Sequence, residues 1–265
     1  MNEAELLFSQ ALGCQRPDLY INKDKYLSRE KSAFISAVLK RRIKGEPIQY
    51  ILGKTEFMGL EIKVNKSVLI PRPETEVLVE TALRLIPRLC SLRPRRLKIL
   101  DLGTGSGCIG IALAKYLTDP IIDASDLSDA ALGVARENAK LNNAKINFIQ
   151  SDLFTSHKLQ VTSYDIIISN PPYIAEGQIK KLQPELQFEP NMALNGAGDG
   201  LDFYRRIVLC APGYLKIGGL LILEMGFGHA PALEEIFNKP GLLEVIEIVK
   251  DYNNIDRVIV LRKVK

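Results

Sequence analysis

Tryptophan is absent from this 265-residue chain, histidine occurs only at His157 and His229, and the four cysteines (Cys14, Cys90, Cys108, Cys210) are scattered. Two unpaired histidines are poor material for a triad or a histidine general base, and each reads as a surface or hydrogen-bonded side chain. No C-x-x-C pair and no histidine at ligand spacing accompany the cysteines, so the spacing argues against structural zinc. No apolar run approaches the ~18 residues of a membrane span; the longest, such as 219–223, have the length of a strand. The N-terminus, Met1-Asn2-Glu3-Ala4-Glu5, is acidic where a signal peptide is basic and then apolar. Sequence repeats and low-complexity stretches are missing too. Together these absences predict a cytoplasmic protein without membrane contact.

What is present fits a folded chain: 46% apolar residues, 25% charged, and 35 Lys+Arg against 31 Asp+Glu. The length suits one large or two small domains with a core that needs neither disulfides nor metals. Charge is unevenly spread. Residues 1–98 carry 19 basic and 11 acidic side chains (+8), whereas residues 100–265 carry 16 and 20 (−4). The asymmetry suggests two modules, the first either gripping a polyanionic partner or presenting a solvated basic face.

Residues up to about 44 read as helix, ending in Lys40-Arg41-Arg42. After Gly45-Glu46-Pro47 the pattern turns to a short hairpin within 53–64, a connector between modules. Ile70-Pro71-Arg72-Pro73-Glu74-Thr75-Glu76 opens a helix to about residue 85, with prolines at its entry and acids in its first turn. Strands and helices then alternate. Strands are expected at 97–102, 121–125, 145–149, 164–169, 219–224, 242–249 and 258–262, and helices at 108–117, 128–141, 201–211 and 229–237. Repeated βα units of this kind predict a parallel sheet covered by helices on both faces.

Asp101-Leu102-Gly103-Thr104-Gly105-Ser106-Gly107 joins the first strand of that series to its first helix. Ligands bind open α/β sheets at such loops, where glycine lets the backbone approach closely. The spacing is G-x-G-x-G; a G-x-G-x-x-G alternative runs through Gly105, Gly107 and Gly110. Asp126 follows the second strand, nineteen residues beyond Gly107, where an acid can accept hydrogen bonds from a ribose diol. It reads otherwise as a loop acid or helix cap, although Ser128 is the better cap. Beyond the third strand, Ser151-Asp152-Leu153-Phe154 offers an acceptor and apolar surface suited to adenine, or is a plain surface turn.

Asn170-Pro171-Pro172-Tyr173 directly follows the apolar strand 164–169. Methylating a planar NH2 group requires countering the delocalisation of its lone pair, and two acceptors aimed at the two N–H bonds do so. Asn170 offers a side-chain carbonyl, and Pro171 a main-chain carbonyl stiffened by the proline rings. Charge developing on nitrogen is thereby stabilised in the transition state. Tyr173 supplies a flat face for stacking. No general base is needed before attack, so scarce histidine is no obstacle. The bland reading is a strand closed by a Pro-Pro turn.

With these motifs in order, the chain resembles the PrmC/HemK glutamine N5-methyltransferases that act on peptide-chain release factors. The resemblance extends to Gly45-Glu46-Pro47-Ile48-Gln49-Tyr50-Ile51, 69–76, Phe188-Glu189-Pro190 with Ala193-Leu194, Asp199-Gly200-Leu201-Asp202 and Asp256-Arg257-Val258. It implies an α/β class I, Rossmann-like, seven-stranded methyltransferase domain (69–265) using S-adenosylmethionine, preceded by a helical substrate-binding domain (1–48) and a β-hairpin linker (49–68). It further implies that Gly103, Thr104, Gly105, Ser106 and Gly107 wrap the methionine part of the cofactor, that Asp126 holds the ribose, and that Asp152 and Leu153 lie by the adenine. Asn170, Pro171, Pro172 and Tyr173 would bind the glutamine, with 70–76 lining the cofactor site. Many relatives carry tryptophan where this chain has Leu153. The implied substrate is the glutamine of the Gly-Gly-Gln loop of class I release factors, and the expected enzyme is a monomer without a stable nucleic-acid complex. Rival readings are glutamine methylation of a large-subunit ribosomal protein, adenine-N6 methylation of DNA, and a non-catalytic binding module. No base-recognition insertion follows N-P-P-Y, and its half of the chain is net negative, which argues against DNA.

Overall fold

The computed structural model describes residues 2–21, 26–92, 96–159, 164–238 and 241–265. The side chains of 87–92, Cys90 among them, lie outside that description. Where residues up to about 44 were expected to be helical, the chain forms α1 (Glu3–Leu12), α2 (Arg16–Ile21) and α3 (Arg29–Arg42), and α4 (Ile48–Leu52) follows at the start of the expected linker. Local chemistry sets the breaks. Asn2 and Glu5 form a reciprocal capping box, Gly13 ends α1 in the left-handed region, and Ser28 caps α3. Leu7, Ile35, Val38 and Ile48 form a small core of their own.

Next comes a hairpin, β1 (Lys54–Phe57) and β2 (Leu60–Lys63), turning through Met58 and Gly59, both at positive φ. It is no loose connector, because Phe57, Ile62 and Val64 are buried in the larger core. Its turn is clamped: the Met58 N–H donates to Glu76 Oε1 and the Tyr116 hydroxyl donates to the Met58 carbonyl, each at 2.6 Å.

The remaining elements are α5 (Pro73–Leu92), β3 (Lys98–Leu102), α6 (Cys108–Tyr116), β4 (Ile121–Asp126), α7 (Asp129–Leu141), β5 (Asn147–Gln150), β6 (Tyr164–Ser169), α8 (Glu176–Ile179), α9 (Asn191–Leu194), α10 (Asp202–Tyr214), β7 (Leu215–Glu224), α11 (Ala230–Asn238), β8 (Leu243–Lys250) and β9 (Asp256–Lys263). The helix α10 continues through Pro212, past the expected end at 211. Buried Lys263 serves its last turn, since its ammonium donates to the Pro212 and Leu215 carbonyls.

Seven strands align in the order β5-β4-β3-β6-β7-β9-β8. The expected all-parallel sheet is corrected at one edge: β9 runs antiparallel to both β7 and β8. The reason is distance along the chain. Only 251–255 separate β8 from β9, too short for the crossover of a dozen or more residues that parallel pairing needs. Helices cover both faces, and the sheet divides the interior beneath them into two apolar clusters. At the centre, Ile166, Ile167 and Ile168 of β6 are inaccessible to solvent, each contributing about 1.5–3 kcal/mol by burial.

Candidate active site

The carboxyl ends of β3, β4, β5 and β6 open into one cleft of about 650 Å³. Gly103, Thr104, Gly105, Ser106, Asp126, Asp152, Leu153, Asn170, Pro171 and Pro172 all line it. Tyr173 lies around the corner, lining an adjoining cavity of about 180 Å³ with Arg72 and Leu69. Gly107 stands one step back as the N-cap of α6, where an added Cβ would come within 3.1 Å of Ala135 and Ile111. Gly110, the end of the alternative glycine spacing, packs inside α6 against Asp101 rather than on the cleft.

The glycine loop is built by backbone hydrogen bonds. The Gly103 and Thr104 N–H groups both donate to the Ser125 carbonyl at 2.8 Å. Gly103 (φ 74°) and Gly105 (φ 54°) have no atom within 4 Å of where a side chain would begin, so conformation rather than crowding selects glycine there. Asp126 is tied to the loop, its Oδ2 accepting from Gly105 N at 2.8 Å and its Oδ1 from Ser128 N at 2.9 Å. Burial raises its pKa against these backbone donors. Ser128 caps α7, as its position suggests, by accepting from Ala131 N.

Beneath the loop, fully buried Asp101 accepts from Thr104 Oγ1 at 2.6 Å and Gly110 N at 3.0 Å. Its Oδ1 has no partner among the described residues, and burial pushes its pKa to about 6. Across the cleft, half-exposed Asp152 pairs with Arg206 at 2.8 Å, and Arg206 lies over the Phe203 ring. Leu153 adopts φ 49° while its partly buried side chain rests on the core.

The Asn170 amide nitrogen donates to Thr75 Oγ1 at 3.1 Å. Tyr173 donates to Glu224 Oε1 at 3.4 Å, and burial raises the tyrosine pKa. Two glycines press another segment onto this turn. A Cβ on Gly196 would lie 2.9 Å from the Pro172 carbonyl, and one on Gly200 would lie 2.5 Å from that of Tyr173. The Asp199-Gly200 motif therefore backs the turn.

Residues whose supporting roles the sequence did not reveal complete the frame. Buried Glu189 accepts from Ile70 N at 3.1 Å and from Arg72, joining two distant motifs. Asn138 binds the glycine loop and the hairpin together. Both partner sets lie far along the chain, so only the residue types were visible. Pro71 and Thr75 of the 70–76 segment do line the cleft.

A seven-stranded sheet with its last strand reversed, a glycine loop after β3 and an acid at the end of β4 define a class I methyltransferase fold. The chain matches the family models "Methyltransferase small domain" over residues 79–199 and "PrmC N-terminal domain" over residues 1–53. It is 44% identical to a release factor glutamine methyltransferase of Geobacter sulfurreducens, covering 97% of this chain and 87% of that protein. A namesake from Thermodesulfovibrio yellowstonii is 43% identical, with 100% and 93% covered. The chain belongs to the release factor glutamine methyltransferase family. A crystal structure of a Pyrococcus furiosus methyltransferase shares the fold at 19% identity and TM-score 0.58, over 79% of this chain and 91% of that one.

Proposed function

We propose that this protein transfers a methyl group from S-adenosylmethionine to the side-chain nitrogen of the glutamine in the Gly-Gly-Gln loop of class I release factors, in the cytoplasm. Full-length similarity to the family supports the substrate, and the Asn170-Pro171-Pro172-Tyr173 turn at the cleft supports the chemistry.

The residues present suit the cofactor. Gly103 and Gly105 leave room for close approach. Asp126 has lone pairs beyond the two that accept backbone N–H groups, enough for a ribose diol. Leu127, Leu153 and Ile109 supply apolar surface for a purine, and Asp152, although paired with Arg206, keeps a second oxygen to accept from its amino group. Bound there, S-adenosylmethionine supplies an electrophilic methyl group.

The chain then has to hold one glutamine amide. Asn170 Oδ1 and the Pro171 carbonyl accept its two N–H bonds, keep the lone pair on nitrogen and stabilise positive charge as it develops. Tyr173 gives the planar amide a face to lie on. The adjoining cavity at Tyr173 gives the glutamine stem a route in.

The N-terminal module grips the body of the factor. None of its described residues lines the cleft, and it presents Tyr20, Ile21 and Ile43 at 63%, 77% and 84% exposure. The test is methyl transfer from a labelled donor, offered separately to a release factor, a ribosomal protein and DNA. Label on the release factor alone is expected; label on either of the others instead refutes the assignment.

A further inference from the structure

Beneath the N-P-P-Y turn lies a set of polar side chains with no part in the chemistry so far. Glu224, at the end of β7, is buried, and its Oε2 has no hydrogen-bond partner among the described residues. Oε1 accepts from Tyr173, and the Glu224 main-chain carbonyl accepts from the Tyr204 hydroxyl at 2.8 Å. Thr75, buried in the first turn of α5, is a neighbour of both this carboxylate and Asn170. Its oxygen accepts from Asn170 Nδ2, and its side-chain hydrogen bonding favours the charged form of Glu224. An under-satisfied carboxylate costs stability wherever it is buried.

A threonine hydroxyl carries one proton. Drawn toward a carboxylate, that proton leaves only lone pairs facing Asn170. The Asn170 amide must then turn its N–H inward and its oxygen outward. Without the carboxylate the hydroxyl is free to donate, and the flipped amide becomes equally acceptable. A flipped Asn170 would set N–H against the N–H of the glutamine.

We propose that Glu224 and Thr75 are positioning residues for methyl transfer: the buried carboxylate orients the Thr75 hydroxyl, Thr75 fixes the Asn170 amide with its oxygen toward the substrate, and Tyr173 is held from behind by the same carboxylate. The inference rests on Asn170 being the acceptor for the glutamine amide.

It carries a pH signature. Burial raises Glu224 to about 7, opposed by Thr75, Arg257 and Tyr173 and reinforced by the charge of Glu74. The other titratable neighbours are Tyr204 and the Cys108 thiol, both raised by burial, and His229, which lies edge-on to Tyr173 and is lowered by burial. None of these three gains a charge as the pH falls from 8 to 7. Below neutrality Glu224 takes up a proton and its hold on the Thr75 hydroxyl is lost.

The experiment uses the full-length protein and has two arms. In the first, the Asn170 side-chain NH2 resonance, identified by its loss in Asn170→Ala, is followed against pH. We expect it to titrate with a midpoint near 7 and to stop doing so in Glu224→Gln and Thr75→Val. In the second, Glu224→Gln and Thr75→Val lower kcat for release-factor methylation about tenfold or more, with KM and S-adenosylhomocysteine affinity within about twofold. Thr75→Ser, which keeps the hydroxyl, stays within about threefold of the parent. The acidic limb of the parent kcat profile near pH 7 disappears in Glu224→Gln, whereas a limb owed to Asp101 would persist. A resonance insensitive to pH, or Thr75→Val at the parent kcat, overturns the proposal. Should Glu224→Gln fail to fold, the Thr75 Ser and Val pair decides. An inactive parent enzyme would instead refute the proposed function, and the resonance arm, which needs no turnover, still judges the orientation of Asn170.

Discussion

Replacing Asn138 by alanine tests whether the glycine loop and the hairpin are one mechanical unit. Asn138 is fully buried on α7. Its Oδ1 accepts from Lys63 N at 2.7 Å, and its Nδ2 donates to the Lys63 and Ser106 carbonyls, each at 2.9 Å. The substitution removes three hydrogen bonds worth about 0.5–1.5 kcal/mol each, so a loss of about 2–4 kcal/mol is expected. For a chain of this size each kcal/mol moves the melting midpoint by about 2–4 °C, giving a fall of about 5–15 °C by calorimetry. A second signature separates this from generic damage. Ser106 loses its anchor, so S-adenosylhomocysteine affinity, measured by titration calorimetry on the same preparation, should fall several-fold. Asn138→Asp should be at least as harmful near pH 7, because a carboxylate faces two carbonyls, and less harmful where its carboxyl group is protonated and can donate. A midpoint for Asn138→Ala within about 2 °C of the parent would show that the bonds carry no net stability, and the unit would have to be held by apolar packing alone.

Asn170→Ala should fold and bind S-adenosylhomocysteine while turnover drops roughly 10²-fold or more; parent-rate methylation would remove Asn170 from the chemistry. Asp126→Ala should cost about 1.5–3 kcal/mol in cofactor binding with less effect on kcat, since a ribose contact serves ground and transition states alike; unchanged affinity by calorimetry would exclude it. Changing Tyr20, Ile21 and Ile43 together to serine should raise KM for the intact release factor and leave a short Gly-Gly-Gln peptide untouched; equal effects on both substrates would dismiss the module as a grip. Asp101 has a pKa raised from 3.8 to about 6 by burial, so its contribution favours folding below about pH 4 and is lost as pH rises through 6, a term on the order of 3 kcal/mol. Urea melts across that window should show Asp101→Asn with a flatter pH dependence than the parent, and identical slopes would contradict the burial argument.

The motifs that line the cleft were legible in the sequence where they sit on contiguous backbone. A glycine loop, an acid at the next strand end and a four-residue turn after a buried strand keep their spacing because each hangs from one strand of one sheet. Capping by Ser128 was equally local. The N-terminal pattern was legible as helical but not as four helices, because its breaks depend on capping and on a core of only Leu7, Ile35, Val38 and Ile48. What supports the site was decided in three dimensions. Thr75 meets Asn170 across 95 positions, Glu189 meets Arg72 across 117, and Asn138 meets Lys63 across 75. No periodicity reports such pairs, since each joins elements that pack only when the sheet closes. The reversal of β9 belongs to the same category: the alternation of apolar residues reads alike in either direction, and only the short 251–255 turn, working against the reach of the chain, settles which way the last strand runs.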